Sequence, residues 1–451
     1  MLPEHPATMN EKILILSLGC PKNLVDSEVM LGLLKQADYQ ISDTPEEADI
    51  MLVNTCGFIQ PAVEESIDEI LELARVKQKN PDKKLVVTGC LVQRYGEELK
   101  QQLPEVDLFI GTDEFQNIAA HLEQCKSVKS RMLKNSSQRF LLNSSTPRLI
   151  STPPHRAYMK ITEGCSNRCT FCLIPTIRGP MRSRKISDLI LEADRLADKG
   201  VKELTLIAQD LTAYGRDLDG GANLESLLNK LLSNCAIPWI RLLYLHPAGL
   251  EMNLLELMAS SHRLVPYLDI PLQHVSSRIL KAMNRRYDRK YAETLVQNIR
   301  KILPDAAIRT TFLIGFPGET EDDVDQVEKF IRIYKLEHVG MFTYSNEDGC
   351  AAVNFPDQCT KDEKNERRSR LMKIQAEIGL LNNRQMRGKV EQVLVEGVSR
   401  ETDLLLEGRT RYQAPDIDGC VYISDGHCNA GDLVDVRITE AHPYDLVGEI
   451  V

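Results

Sequence analysis

The chain has 451 residues, of which 27% are charged and 43% are hydrophobic, and its net charge is −10. This length exceeds one ordinary hydrophobic core, so we expect two or three domains of a globular protein. No apolar run approaches the roughly twenty residues that cross a bilayer, and no export signal is visible, so we predict a cytoplasmic protein that does not contact a membrane. The acidic balance disfavours a protein whose main task is to grip a phosphate backbone.

Residues 10–125 repeat one unit three times: an apolar run, a cysteine beside Gly or Pro, and then a helical pattern. The three runs lead to Cys20, Cys56 and Cys90. Continuous apolar strands that alternate with helices predict a parallel α/β sheet covered on both faces. Because the carboxyl ends of parallel strands share one edge, we expect the three thiols to lie close together there.

Each of these cysteines is also expected near the start of a helix, in helices predicted over residues 26–37, 62–77 and 93–102. A helix N-terminus favours a thiolate over a thiol, and thiolates bind metal. The alternative is that three small, buryable residues happen to follow three strands. With twelve cysteines in a chain expected to be cytoplasmic, reduced or metal-bound thiols are favoured over disulfides.

Residues 126–156 are rich in Ser, Asn, Pro and basic residues, which is typical of a linker. We predict one short strand in it, at residues 140–142.

A second series of strands and helices follows over residues 157–380. The predicted strands are 157–162, 203–208, 239–245, 267–272, 307–314 and 339–344, and helices are expected over 187–199, 224–234 and 322–334. Six strands alternating with helices predict an open or partial (βα)6 barrel whose site lies at the carboxyl ends of its strands.

The loop after the first of these strands carries three thiols in a C-x3-C-x2-C spacing, at Cys165, Cys169 and Cys172. This spacing lets three thiolates bind three irons of a 4Fe-4S cube and leaves the fourth iron without a protein ligand. A zinc site would need a fourth ligand close in sequence, for which His155 is the nearest candidate. A structural disulfide would leave one thiol of the three unexplained.

Polar residues follow the other predicted strands of this series, and we expect them at the rim of the barrel: Gln209, Asp210, His246, Gln273, His274 and the 315–319 turn. The histidines are expected to be hydrogen-bonded rim residues. The turn lacks the Lys-Ser/Thr of a phosphate-binding loop. A basic patch at Arg285, Arg286, Arg289 and Lys290 is expected to be solvated surface, with contact to a substrate or cofactor carboxylate as the alternative.

A charged helix is predicted over residues 362–383, and residues 384–451 then alternate apolar and polar positions in five short strands. This pattern predicts a small β-barrel domain of the oligonucleotide-binding type. It carries seven Lys and Arg against thirteen Asp and Glu, a net charge of −6. An acidic barrel is a poor clamp for RNA.

The motif Cys165-x3-Cys169-x-Phe171-Cys172 after an apolar strand resembles the radical S-adenosylmethionine (SAM) superfamily. The resemblance implies that the open iron binds the amino and carboxylate groups of SAM, and that SAM is cleaved to a 5'-deoxyadenosyl radical. It also implies SAM contacts near Phe171 and at the strand ends, which we carry over to Gln209 and Gln273.

Two thiol trios, on an α/β domain and on a radical SAM domain, followed by a small barrel of the TRAM type, resemble the methylthiotransferase family over essentially the full length. The resemblance implies two 4Fe-4S clusters, one on Cys20, Cys56 and Cys90 that carries sulfur and one on the second trio that generates the radical. One SAM would supply the methyl group and another the radical.

Within that family, Arg178-Gly179, the strand at residues 242–247 and the segment 413–419 resemble the branch that modifies an aspartate β-carbon of the small-subunit ribosomal protein uS12. The implied partners are uS12, free or on the small subunit, and an external electron donor, and we expect a monomer. An acidic barrel suits a lysine-rich protein substrate. A tRNA-adenosine methylthiotransferase and a non-catalytic iron-sulfur scaffold remain alternatives. The six other cysteines are expected to be ordinary thiols.

Overall fold

The structure is a computed structural model that describes residues 11–125, 131–134 and 139–451. The chain divides into two compact units. The first comprises the residues up to 151 together with 163–167 and 172–184, and the second comprises 152–162, 168–171 and 185–451. In the described ranges, no helix combines the length and the apolar character that crossing a bilayer requires.

The first unit is built on a six-stranded sheet in the order β2-β1-β3-β4-β5-β6, and every neighbouring pair is parallel. Its strands are β1 (Lys12–Ser17), β2 (Gln40–Ile41), β3 (Ile50–Thr55), β4 (Lys84–Gly89), β5 (Leu108–Ile110) and β6 (Arg131–Leu133). Its helices are α1 (Pro21–Gln36), α2 (Gln60–Lys79), α3 (Cys90–Tyr95), α4 (Glu97–Gln102) and α5 (Ile118–Cys125). The predicted parallel α/β sheet is confirmed.

The local sequence explains where these elements begin and end. All six residues of β3 are buried, as expected of a strand with both faces covered. Helix α1 begins five residues earlier than the predicted 26–37 because Pro21, with its fixed φ, is suited to the first helical position. The helix predicted over 93–102 is two helices, separated at Gly96, whose φ is +52°.

The stretch 140–142, predicted as a strand, has no regular structure. The strand of this region is β6, which pairs with β5 and extends the sheet. Further along the chain, β8 (Thr162–Glu163) and β9 (Arg182–Ser183) form a two-stranded sheet on either side of the cysteine loop and of α6 (Ile174–Arg178).

The second unit contains another six-stranded parallel sheet, in the order β14-β13-β12-β11-β10-β7, which is chain order throughout. Its strands are β7 (Arg156–Lys160), β10 (Glu203–Ile207), β11 (Trp239–Leu242), β12 (Leu264–Asp269), β13 (Ala307–Ile314) and β14 (His338–Thr343). The helices are α7 (Ile186–Asp198), α8 (Leu224–Asn234), α9 (Met252–Ser260), α10 (Ser277–Ala282), α11 (Arg289–Ile302), α12 (Glu321–Tyr334) and α13 (Lys361–Arg384). β7 and β14 remain the two ends of the sheet, so the predicted partial (βα)6 barrel is confirmed.

Capping residues define several of these helices. Asn223 and Ser226 form a reciprocal capping box at the start of α8, and Thr360 and Glu363 do the same for α13. Strand β12 lies three residues before the predicted 267–272, because Pro271 lacks the N–H that a central strand needs.

The C-terminal strands close into a barrel in the order β15-β16-β17-β19-β18, which confirms the predicted small β-barrel. They are β15 (Val390–Val398), β16 (Leu406–Thr410), β17 (Val421–Asp425), β18 (Leu433–Ala441) and β19 (Leu446–Ile450). Inward-facing aliphatic residues, among them Val393, Val421 and Val436, fill the barrel.

The loop between β16 and β17 packs on the amino-terminal part of the parallel sheet in the same unit. Asp416 accepts hydrogen bonds from Arg156 at 2.8 Å and from the Tyr158 hydroxyl at 3.1 Å. Asp418 accepts one from the Tyr267 hydroxyl at 2.6 Å. These three hydrogen bonds lie towards the amino-terminal ends of the strands. The site was predicted at their carboxyl ends, on the opposite side of the sheet.

Candidate functional site

Three thiols lie at the carboxyl edge of the first sheet, on strands that are direct neighbours. Cys20 immediately precedes α1, Cys56 immediately follows β3, and Cys90 is the first residue of α3. β1, β3 and β4 are adjacent in the sheet. Burial is the main cause that raises the pKa of Cys56 and of Cys90, and a neighbouring thiolate adds to each shift, Cys90 acting on Cys56 and Cys20 on Cys90. The structure thus brings together residues that are more than thirty positions apart in the sequence.

Two glycines let the chain approach these thiols closely. A Cβ at Gly19 would lie 2.7 Å from Cys56 Cβ, and one at Gly57 would lie 2.7 Å from the backbone of Leu91. Neither distance is possible for real carbon atoms, and Gly19 also has a φ of +87°. The glycine beside each of these two cysteines is therefore required by the geometry of the edge.

A buried network of amides fixes the strand ends that carry the thiols. Asn54, at the end of β3, donates hydrogen bonds to the Asn23 carbonyl at 2.9 Å and to Ser27 Oγ at 2.8 Å. Asn23 in turn donates to the Leu18 carbonyl at 2.7 Å. Helix α1 is thereby tied to both β1 and β3.

Arg178 is the cation of this site, and it is 4% exposed. Its Nε donates to Cys90 Sγ at 3.4 Å. Its Nη1 donates to Asp26 at 2.9 Å and to Glu163 at 3.0 Å, and its Nη2 donates to Asn23 at 3.1 Å. One guanidinium therefore joins the first thiol trio to the residue that lies two positions before Cys165. The sequence around Arg178 gives a family resemblance but no local pattern that predicts this role.

The three thiols differ in acidity. For Cys20, burial would raise the pKa, but Lys22, Arg178 and two backbone N–H groups outweigh it and lower the pKa below the usual value. Burial and the neighbouring thiolates raise the pKa of Cys56 to about 12. Burial also raises the pKa of Cys90, although Arg178 opposes the shift.

Cys56 lies near the start of a helix, as predicted, but farther from it than Cys20 and Cys90 do. Helix α2 begins at Gln60, which leaves Cys56 outside its first turn. The Cys56 N–H donates to Ser66 Oγ at 3.1 Å, within the same helix. The dipole argument is therefore weaker for Cys56 than for Cys20 and Cys90.

The donor set fits an iron-sulfur cluster, because thiolates are the ligands that such clusters take and a buried guanidinium offsets their negative charge. Among the described residues, no three side chains of His, Cys, Asp or Glu surround one position for a single metal ion. His155, the candidate fourth zinc ligand, lies with its Nε2 2.9 Å from Glu396 Oε2.

The second trio lies on the loop between β8 and α6. Cys165 is buried, and Cys169 and Cys172 are partly exposed. The Cys165 N–H donates to the Gly179 carbonyl at 3.0 Å. Gly164 has a φ of +75°, and a Cβ there would lie 2.4 Å from the Pro180 carbonyl oxygen. The start of the loop therefore runs in close contact with the segment that follows Arg178.

The middle of this loop, residues 168–171, is fastened to the end of α10. Thr170 donates from its N–H to the Met283 carbonyl at 3.2 Å and from its hydroxyl to the Ala282 carbonyl at 2.9 Å. Asn284 donates to the Arg168 carbonyl at 2.6 Å. Three hydrogen bonds thus set the position of the turn after α10 relative to the loop.

Phe171, predicted to contact SAM, packs against the apolar cluster that includes Ile279, Met283 and Phe316. The guanidinium carbon of Arg285 lies 5.7 Å from the centre of its ring. Arg285 is 9% exposed, so the prediction that it is solvated surface is wrong, whereas Arg286 is exposed as predicted.

The two predicted glutamines lie at strand ends of the second unit. Both amide atoms of Gln209, which follows β10, are buried and make no hydrogen bond within the described chain. Gln273, which follows β12, has a φ of +67°, and its N–H donates to the Thr311 carbonyl at 2.7 Å. An unpartnered buried amide is costly, and a bound polar ligand would remove that cost. A SAM molecule fits this requirement.

The two strand-end histidines are both engaged with the protein, as predicted. Nδ1 of His274 accepts hydrogen bonds from the Val275 and Ser276 N–H groups, each at 2.9 Å, so the proton of the neutral ring is on Nε2. That Nε2 lies 3.3 Å from Glu319 Oε2 but is not aligned as a hydrogen bond. Nδ1 of His246 accepts from the Ala248 N–H at 3.2 Å. Burial and Arg285 lower the pKa of His246 to about 4.

The other six cysteines form no disulfide and are buried or partly exposed, and that they are ordinary thiols stays a prediction: Cys125, Cys235, Cys350, Cys359, Cys420 and Cys428. Cys125 and Cys235 point at backbone carbonyls, and Cys359 accepts from Arg367 at 3.3 Å.

The fold and the two thiol trios define a class. A parallel α/β sheet with three thiols at one edge precedes a partial (βα)6 barrel with a C-x3-C-x2-C loop after its first strand, and a small closed barrel follows. Family models agree with each part: an uncharacterized protein family, UPF0004, matches residues 12–111, the radical SAM superfamily matches 159–331, and the TRAM domain matches 388–451. The chain is thus a radical SAM protein with two accessory domains.

Comparison with characterised sequences narrows the class. The chain is 52% identical over 440 residues to the ribosomal protein uS12 methylthiotransferase RimO of Desulfotalea psychrophila, covering 98% of this chain and 99% of that protein. It is 48% identical over 441 residues to the protein of the same name from Citrifermentans bemidjiense, covering 98% of both. The chain belongs to the family of ribosomal protein uS12 methylthiotransferases.

Solved structures support the fold alone. The radical SAM methyltransferase TsrM from Kitasatospora setae, bound to tryptophan and a SAM analogue, is similar with a TM-score of 0.54 at 14% identity, covering 74% of this chain and 73% of that one. The cobalamin-dependent radical SAM enzyme OxsB is similar with a TM-score of 0.53 at 12% identity, covering 76% of this chain and 54% of that one.

Proposed function

We propose that this chain is a radical SAM enzyme that methylthiolates the β-carbon of an aspartate residue in ribosomal protein uS12. The observation that carries the proposal is the 52% identity to a uS12 methylthiotransferase over 98% of the chain, with both thiol trios present. Its cofactors are two 4Fe-4S clusters and SAM. The division of labour follows the domains predicted over residues 10–125, 157–380 and 384–451, joined by a linker at 126–156.

We assign the first cluster to Cys20, Cys56 and Cys90. Three observations support this assignment: the thiols share one sheet edge, their charges act on one another, and Arg178 contacts Cys90. Hydrogen bonds to Asp26 and Glu163 hold the Arg178 side chain in position. Its positive charge offsets the negative charge of the thiolates.

We assign the second cluster to Cys165, Cys169 and Cys172, on the basis of their spacing and their position after the first barrel strand. Such a cluster, when bound with SAM, supplies the electron that generates a carbon radical, which an unactivated C–H bond requires. We assign SAM to the strand-end residues: Gln209 offers a donor and an acceptor, the side chain of Gln273 extends from a left-handed turn, and Phe171 gives an apolar surface.

The barrel of residues 384–451 is proposed to face the protein substrate. Its net charge of −6 is complementary to a lysine-rich ribosomal protein. Two of its acidic residues, Asp416 and Asp418, are used inside the unit, and seven others are exposed: Glu401, Asp403, Asp425, Asp432, Asp435, Glu440 and Glu449. Electrons come from an external donor, and we expect the enzyme to act as a monomer in the cytoplasm on uS12, free or on the small subunit.

The decisive experiment is the intact mass of ribosomal proteins from strains with and without this gene. We expect uS12 alone to gain one methylthio group when the gene is present. Unchanged ribosomal proteins together with a methylthio-adenosine in tRNA would instead support the tRNA enzyme.

Variants of the purified chain separate the two clusters. With SAM and reductant, Cys165→Ala should form no 5'-deoxyadenosine. Cys20→Ala should still form it but should transfer no methylthio group to uS12. Reconstitution should yield about eight irons per chain for the wild type and about four for each variant. A scaffold without catalysis would release no 5'-deoxyadenosine in any of these samples.

A further inference from the structure

Arg285 is a buried cation without a counter-ion in the described chain. The side chain is 9% exposed, and its buried Nε makes no hydrogen bond. Its guanidinium carbon lies over the face of the Phe171 ring, 5.7 Å from the ring centre. A cation over an aromatic ring gains less than withdrawing a charge from water costs. A native protein keeps such an arrangement where a ligand supplies the missing charge.

The position of Arg285 is fixed relative to the second cysteine loop. It lies in the turn after α10, where Asn284 has a φ of +57°, and its N–H donates to the Leu280 carbonyl at 2.8 Å. The Asn284 side chain and the carbonyls of Ala282 and Met283 bind residues 168–171 of the loop. The guanidinium is therefore presented beside the residues that flank Cys169 by a rigid turn and not by a flexible surface segment.

The surroundings of Arg285 favour an anion. Its charge lowers the pKa of His246, which burial lowers first, so the ring of His246 is neutral at pH 7. Tyr287, with its hydroxyl donating to the Leu272 carbonyl at 2.5 Å, feels the charge of both Arg285 and Cys169. A guanidinium with free donors in a partly closed site matches a carboxylate, which it can bind with two parallel hydrogen bonds.

We infer that the guanidinium of Arg285 binds the side-chain carboxylate of the substrate aspartate, an inference that rests on the proposed function. SAM also carries a carboxylate, and the measurement of SAM affinity below distinguishes that occupant from the aspartate. The aspartate carboxylate is next to the β-carbon that is modified. Binding it would hold that carbon in one orientation and would exclude a neutral side chain such as asparagine.

The test compares wild type, Arg285→Gln and Arg285→Lys, with Arg286→Gln as the matched control because Arg286 is adjacent and exposed. Each full-length protein is reconstituted with iron and sulfide. Two substrates are used, uS12 and its variant with asparagine at the modified position. The readouts are kcat/KM for methylthio transfer, the Kd of fluorescently labelled uS12 without SAM, and the Kd of SAM.

We expect the kcat/KM of the wild type to be at least about 30-fold higher for the aspartate substrate than for the asparagine variant. Asparagine would leave the charge of Arg285 without its partner. Arg285→Gln should reduce this ratio to about one and weaken uS12 binding. Arg285→Lys should retain part of the preference, and Arg286→Gln should retain all of it. Because the preference is a ratio within one protein, partial misfolding of a variant does not change it.

Two results would overturn the inference. An Arg285→Gln enzyme that keeps the aspartate preference has no contact with that carboxylate. If Arg285→Gln loses SAM affinity but keeps the preference for aspartate, Arg285 binds the SAM carboxylate instead. If the wild type modifies no residue of uS12, the proposed function itself is wrong, and the two failures are thereby distinguished.

Discussion

Nε of Arg178 lies 3.4 Å from Cys90 Sγ, although 88 positions separate the two residues. The same guanidinium binds Asp26 and Glu163, so it links helix α1, the edge of the first sheet and the start of the second cysteine loop. Within the first unit, one side chain therefore contacts both a thiol of the first trio and a residue near Cys165.

The first prediction concerns Arg178→Gln. The substitution removes the cation that binds Asp26 and Glu163, and breaking a buried ion pair costs about 3–5 kcal/mol. We expect urea unfolding of the first unit at correspondingly lower denaturant concentration. Arg75→Gln is the control, because Arg75 lies on α2 in the same unit and is exposed. Equal stability of the two variants would show that the buried pairs contribute little.

The second prediction concerns Gly57→Ala. The new Cβ would lie 2.7 Å from the backbone of Leu91, so the chain carrying Cys56 and the chain carrying Cys90 must move apart. We expect the reconstituted variant to lose about half of its iron while it still forms 5'-deoxyadenosine. Gly340→Ala is the control, since a Cβ at Gly340 would meet no atom nearer than 3.4 Å and its backbone is not in the left-handed region. A full iron content in Gly57→Ala would contradict the assignment of the first cluster to this edge.

Local pattern was sufficient to predict all six strands of the second sheet but only three of the six in the first. Apolar runs mark β1, β3 and β4, and the cysteines that end them were placed at one edge because parallel strands end on the same side. The helix over 224–234 was predicted to the residue, since Asn223 and Ser226 signal its start. These features depend on neighbours in the chain.

The charged residues of the sites could not be predicted in the same way. Arg178 finds Asp26 at a separation of 152 positions, and no local pattern encodes that pairing. Arg285 was assigned to a surface patch because three other basic residues surround it in the sequence. Its burial follows from the turn after α10, where a left-handed Asn284 redirects the chain.

The third prediction concerns Gln209. If its buried amide binds SAM, Gln209→Leu removes a donor and an acceptor and should weaken SAM binding by about 1–3 kcal/mol, which equilibrium dialysis measures. The variant should be as stable as the wild type without SAM, because the amide has no partner in the described protein. Gln297→Leu, at an exposed position of α11, is the control. Unchanged SAM affinity would remove Gln209 from the binding site.

The last prediction concerns acid stability. Glu203 is fully buried between Arg241, at 2.6 Å, and Arg409, at 2.5 Å. Burial alone would raise its pKa, but the two arginines lower it from 4.5 to about 2. Because the folded-state pKa is depressed, this carboxylate stabilises the protein above pH 4.5, and the contribution of about 3 kcal/mol is lost as the pH falls from there towards 2.

Glu203→Gln should therefore differ most from the wild type at pH 7, and the two urea midpoints should converge as the pH falls below 4.5. Glu328→Gln is the control, since Glu328 pairs with Arg332 on the exposed face of α12 and contributes little. The pKa of Glu396, which contacts the same Arg409, is also lowered to about 2. Both the wild type and Glu203→Gln should therefore retain some acid sensitivity from Glu396. Midpoints of wild type and Glu203→Gln that stay a constant distance apart from pH 7 to pH 3 would show that the carboxylate does not titrate with unfolding.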